Sequence, residues 1–126
     1  MNKPHKLTLP LLALSSGLLL SSVALSADDK KAALAAYNEA LKQWRTSGDK
    51  EKQAMALSSL GDISRGLREY QPALDSFNQA LALRRELKNR KGEANALTNL
   101  AQTYQAMGQT KQALEYYNQA LPLMRE

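Results

Sequence analysis

Ten side chains hold most of the chemistry this sequence can offer, and they fall into two runs of five. Met55, Ser58, Ser59, Asp62 and Arg65 form the first, and Asn95, Thr98, Asn99, Gln102 and Gln105 the second. Within each run they recur mostly every three or four residues, the spacing that gathers side chains onto one face of a helix. The second run is polar and uncharged. Asn and Gln amides both donate and accept, so they suit pairing with the backbone of another peptide. A plain solvated helix surface would carry the same residues.

Other chemistry is thin. Cysteine is absent and the one histidine is His5, so the rest of the chain has no Ser-His-acid triad, thiol nucleophile or histidine metal site. Gly48, Gly61, Gly66, Gly92 and Gly108 form no phosphate-cradling run between a strand and a helix. Carboxylates are scattered and mostly have a Lys or Arg nearby. No residue can be nominated as a catalyst, and no cofactor or metal is implied. Arg84, Arg85, Lys88, Arg90 and Lys91 make one basic cluster, interrupted by Glu86. Phosphate attraction is one use for it. The simpler reading is a solvated connector whose positive charge suits a helix C-terminus. Trp44 and the tyrosines read as core or hairpin-edge packing rather than a stacking platform.

The elements that carry these residues repeat. Ala73-Leu-Asp-Ser-Phe-Asn-Gln-Ala-Leu-Ala-Leu-Arg-Arg-Glu86 returns 40 residues later as Ala113-Leu-Glu-Tyr-Tyr-Asn-Gln-Ala-Leu-Pro-Leu-Met-Arg-Glu126, identical at 9 of 14 positions. One period earlier stands Ala33-Leu-Ala-Ala-Tyr-Asn-Glu-Ala-Leu41. A period in this range marks stacked supersecondary units. Three-four apolar spacing without strict alternation predicts helices only. They cover about 29–46, 50–66, 71–88 and 90–107, with a fifth from Thr110 to the chain end. Their apolar stripes are Ala33, Leu34, Tyr37, Ala40, Leu41 and Trp44; Ala54, Leu57, Leu60, Gly61 and Leu67; Ala73, Leu74, Phe77, Ala80, Leu81 and Leu87; Ala94, Leu97, Leu100, Ala101, Tyr104 and Met107; and Ala113, Leu114, Tyr117, Ala120, Leu121 and Met124. Gly48 and Gly108 serve as helix stops, Asp49, Asn89 and Thr110 as N-caps. Pro122 predicts a bend or loosening late in the fifth helix. Connectors this short make consecutive helices antiparallel. Gly61 and Ala101 let the paired helices approach.

Residues 1–27 read as a separate segment. Lys3, His5 and Lys6 precede an apolar run, Leu7 to Leu25, and Ala24-Leu25-Ser26 offers a small-x-small cleavage pattern. That is the layout of a secretory signal peptide, cut after Ser26 or Ala27. An uncleaved N-terminal anchor is the alternative, and only then would the protein meet a membrane. Either way residues 28–126 are expected outside the cytoplasm, secreted or periplasmic. Lys3 and Lys6 take two of the 17 Lys and Arg, leaving 15 against 12 acidic side chains, a net of +3. So mild a charge argues against a dedicated nucleic-acid binder. Without cysteines, stability must come from packing alone.

Together these residues resemble the tetratricopeptide repeat. The marks are Leu97, Leu100-Ala101, Tyr104 and Gly108, then Ala113, Tyr117 and Ala120, with Leu57, Leu60-Gly61, Ala73, Phe77 and Ala80 in the preceding copy. The 40-residue spacing looks like the longer variant of kinesin-light-chain-like proteins. Departures are Ser64 at the place of Tyr104, Arg68 for the turn glycine, and Arg85 and Arg125 at the usual proline place. The resemblance implies an all-α fold of antiparallel hairpins stacked as a short right-handed solenoid of about two and a half repeats over 28–126. It implies that the ten residues named first line a concave groove for a protein or peptide, and that the protein is a scaffold or adaptor. It lacks the lysines and arginines of a carboxylate clamp. With no polar capping helix after Glu126, the last hairpin is expected to leave an apolar flank open. Self-association through the C-terminal helix into a homo-oligomer, or docking on another chain, is the alternative role.

Overall fold

The computed structural model describes residues 26–126, so the leader expected over residues 1–27 lies almost wholly outside the described residues. Five helices follow in order: α1 (Ala27–Ser47), α2 (Lys50–Gly66), α3 (Tyr70–Glu86), α4 (Arg90–Ala106) and α5 (Thr110–Met124). Two- and three-residue connectors fold each helix back on the one before. α2 packs most extensively on α3 and α4 on α5, while the α1–α2 and α3–α4 joints are lighter. The result is a stack of hairpins, as the repeat implies.

Local chemistry explains the boundaries. Ser26 caps α1 by accepting from the Asp29 amide at 3.1 Å. Asp49 caps α2 through the Lys52 amide at 3.1 Å, and Asn89 caps α4 through the Gly92 amide at 2.8 Å. α5 departs from expectation: its N-cap is Gln109, with no side-chain hydrogen bond, and Thr110 is already helical. α3 likewise lacks a side-chain cap at Glu69. Gly48 and Gly108 close their helices at φ +79°, the left-handed conformation glycine adopts without penalty. Pro122 is accommodated near the helix end, α5 continuing two residues past it to Met124.

The core forms two clusters. Ala33, Tyr37, Ala40 and Leu41 of α1 meet Ala56, Leu57, Leu60 and Ile63 of α2 together with Ala80. Ala73, Leu74, Phe77 and Leu81 of α3 meet Ala96, Leu97 and Leu100 of α4 together with Ala120. Three parts of the expected stripes differ. Leu87 is 38% exposed, because it lies in the connector beyond α3. On α5 only Ala113 and Ala120 are buried, whereas Leu114, Leu121 and Met124 are exposed. Ile63 and Thr103 are fully buried although neither belongs to the expected stripes.

Candidate functional site

The ten candidate residues lie on α2 and α4, but they split among four settings. Arg65 organises the first. Its guanidinium spans the gap between the helices, donating to the Asn99 carbonyl at 3.3 Å and to Gln102 Oε1 at 3.2 Å. It also pairs with Asp62 at 2.9 Å and lies 5.4 Å from the Phe77 ring centre. Otherwise α2 and α4 barely touch. Asp62, Arg65, Asn99 and Gln102 thus form one hydrogen-bonded strip across α2 and α4. Burial pushes the Asp62 carboxyl above its ordinary value, and the neighbouring Arg65 opposes that rise.

Asn95 and Thr98 belong to the second setting. They line a cleft of about 540 Å³ with Arg90, Lys91, Ala94, Leu123, Met124 and Glu126. The Asn99 amide links the two settings by donating to Asn95 Oδ1 at 3.3 Å. Thr98 spends its hydroxyl on the Ala94 carbonyl at 2.9 Å. Ser59 and Gln105 are drawn aside by aromatic neighbours. Ser59 hydrogen-bonds the Tyr37 hydroxyl, whose pKa burial raises despite that bond. Gln105 accepts from the Tyr117 hydroxyl at 3.1 Å. Met55 and Ser58 remain half-buried on α2.

The cleft is what sequence reasoning missed. Its signal was a broken repeat: one period before Lys91 and Met124 stand Glu51 and Arg84, an ion pair at 2.8 Å. The basic cluster is largely neutralised. Arg84 pairs with Glu51, Arg85 with Glu93 at 2.8 Å, and Arg90 with Glu126 through its Nε at 3.0 Å. The last contact lowers the Glu126 pKa and raises that of Arg90. It repeats the Lys50–Glu86 pair one period on. Trp44 is half-buried against the first core cluster, and Tyr104 stacks on Tyr116 with centroids 5.5 Å apart. Among the described residues no group of His, Cys, Asp and Glu could hold a metal ion.

A period of 40 residues and helical hairpins stacked side by side define the architecture to be compared. The family model described as Tetratricopeptide repeat matches residues 13–86 and again residues 53–126. The chain belongs to the tetratricopeptide repeat family. The first match begins at residue 13, earlier than the Asp29 from which the repeat marks were read. No curated protein matches the chain. Tetratricopeptide repeats typically bind proteins and carry no catalysis of their own, so the family gives this chain an interaction or scaffold role. In a tetratricopeptide frame α2 and α4 are the first helices of their hairpins. The strip joined by Arg65 therefore links two such first helices.

Proposed function

We propose that this tetratricopeptide protein is a non-enzymatic scaffold that takes an extended segment of a partner protein along the α2–α4 groove. The observation that carries this reading is the Arg65 bridge. It bridges α2 and α4 by hydrogen bonds, which supports a groove whose amides need little ordering on binding. Asn99, Asn95 and Gln102 offer donors and acceptors at helical spacing, the functionality an extended backbone needs. Asp62 and Arg65 cancel in charge, which favours a ligand read by its backbone over one read by net charge. The leader-like layout of residues 1–27 supports a further part of the proposal, that this scaffold is exported from the cytoplasm. N-terminal sequencing of the mature protein checks that placement, and an intact Met1 in a cytoplasmic fraction would overturn it.

The groove is tested by selecting a peptide from a displayed library against the full chain and then measuring its affinity for variants. Each amide hydrogen bond lost is worth about 1 kcal/mol, roughly fivefold in affinity. Asn95→Ala and Asn99→Ala should each weaken binding by about that factor, with helicity unchanged. Equal affinity for both variants and the wild type would exclude the groove as the binding site.

A further inference from the structure

α5 carries an apolar row that none of the described residues covers. Leu114 is 56% exposed and Leu121 44%, whereas their counterparts one period earlier, Leu74 and Leu81, are 4% and 6% exposed. The difference lies in α4, which packs Ala96, Leu97 and Leu100 into the cluster that holds Leu74 and Leu81. The α3–α4 joint therefore shows what suits the open row: a helix with apolar, partly small residues on its face and a carboxylate in its first turn. That carboxylate is Glu93, which accepts from Arg85 Nε at 2.8 Å.

The cations of the open flank lack the side-chain partners that their counterparts in earlier periods have. Arg45, Arg85 and Arg125 stand 40 residues apart. Arg45 donates to Gln79 at 2.9 Å and Arg85 to Glu93, while Arg125 has no side-chain partner among the described residues. Lys91 stands where Glu51 stands one period earlier, and Met124 where Arg84 does, so the earlier ion pair is replaced by a cation beside a thioether, and the cleft's carboxylate, Glu126, is taken by Arg90. Among the described residues the flank presents two cations without an ion pair, Lys91 and Arg125, at one end of an apolar row.

The far end of the stack presents the complement. α1 rests chiefly on α2, and Asp28 and Asp29 lie exposed in its first turn. Ala32 and Ala35 are exposed as well. Three-four spacing puts Asp28, Ala32 and Ala35 on one face. Laid antiparallel on α5, that face sets its aspartates toward Arg125 and Lys91 and its alanines against Met124 and Leu121. Small residues opposite large ones let helices approach closely.

We propose that a second copy of this chain docks head to tail, the exposed face of its α1 covering the open α4–α5 flank. A single helix pair buries less than the ~800 Å² per partner of a standard stable interface, so the contact is weak and forms at high local concentration. The contact does not use the Arg65 strip, and crosslinking between copies is read without any peptide ligand, so the two readings fail independently.

The absence of cysteine from the sequence makes the contact directly testable in the full chain. Chains carrying Ala32→Cys are mixed with chains carrying Leu121→Cys and mildly oxidised. All substituted positions are exposed, so folding is checked by helicity alone. The mixed pair should give a disulfide-linked dimer at least fivefold above a control pairing Leu121→Cys with Asn78→Cys on exposed α3 surface. Adding Asp28→Lys and Asp29→Lys to the first chain should cut the yield severalfold, and Lys91→Glu with Arg125→Glu in the second should restore it. A mixed-pair yield no higher than control, or crosslinking between two Leu121→Cys chains alone, would overturn the head-to-tail contact.

Discussion

Arg68 and Lys88 sit at φ +63° and +55°, in the left-handed region where Gly48 and Gly108 sit at +79°. The four positions are twenty residues apart, one at each turn between helices. A residue with a Cβ pays roughly 1–2 kcal/mol in that conformation, and glycine gives part of that back as chain entropy in the unfolded state. Arg68→Gly and Lys88→Gly should therefore each raise stability by about 0.5–1 kcal/mol in urea unfolding. A loss instead would show that these side chains make contacts that outweigh the strain. Asp62 answers to pH. Burial raises its folded pKa, with Arg65 opposing, so the folded chain holds that proton more tightly than the unfolded one. Its favourable contribution is complete below the ordinary aspartate range and is lost as pH rises through the raised value. Urea midpoints measured across the acid range should lose that downward slope in Asp62→Asn; parallel curves would refute the assignment. Single residues were also where the sequence was least legible. Thr103 reads as polar, yet it occupies the place of Ile63 one period earlier. It is buried because its hydroxyl donates to the Asn99 carbonyl at 2.7 Å, which removes the cost of taking it out of water.

At the scale of elements, periodicity placed all five helices and put most of their boundaries within a residue or two, because apolar spacing and turn length follow from the sequence directly. Closeness of approach does not. Gly61 was legible as a small residue at a crossing, but only the structure shows what it meets: a Cβ there would lie 2.5 Å from Phe77 Cε1. Phe77 is itself fully buried and also lies under the Arg65 guanidinium, so the ring has little freedom to withdraw. Overpacking of this kind costs roughly 1–3 kcal/mol, against about 1 kcal/mol gained from replacing glycine in a helix. Gly61→Ala should thus be destabilising by about 1 kcal/mol net. It should also loosen Arg65, so the groove strip of Asn99 and Gln102 is expected to lose order in amide exchange. A stabilised variant with an unchanged strip would mean the ring yields at no cost. The groove itself was only partly legible, since Ser59 and Gln105 have the right spacing but are claimed by Tyr37 and Tyr117, hydroxyls whose direction no helical period reveals.

For the whole molecule, burial follows position in the stack rather than residue type. The repeat gives Leu81 and Leu121 the same sequence neighbours, Gln-Ala before each, yet one is 6% exposed and the other 44%. Sequence alone fixes their equivalence; the number of helices packed beside each decides their energies. Removing Leu81 should leave a cavity between α3 and α4, at a cost of about 2–5 kcal/mol. Leu121→Ala removes the same atoms from a surface that water already reaches, and should change the stability of the isolated chain by no more than about 0.5 kcal/mol. Measured by urea unfolding at low protein concentration, the pair separates two accounts of this solenoid. Unequal losses mean that each hairpin is stabilised by the neighbour that covers it. Equal losses would mean that α5 is already covered in the isolated chain, and the open flank with its unpaired cations would then not exist. Repeating the Leu121→Ala measurement at high concentration extends the argument, because a copy docked on that flank turns an exposed leucine into a buried one and the cost of losing it should grow with concentration.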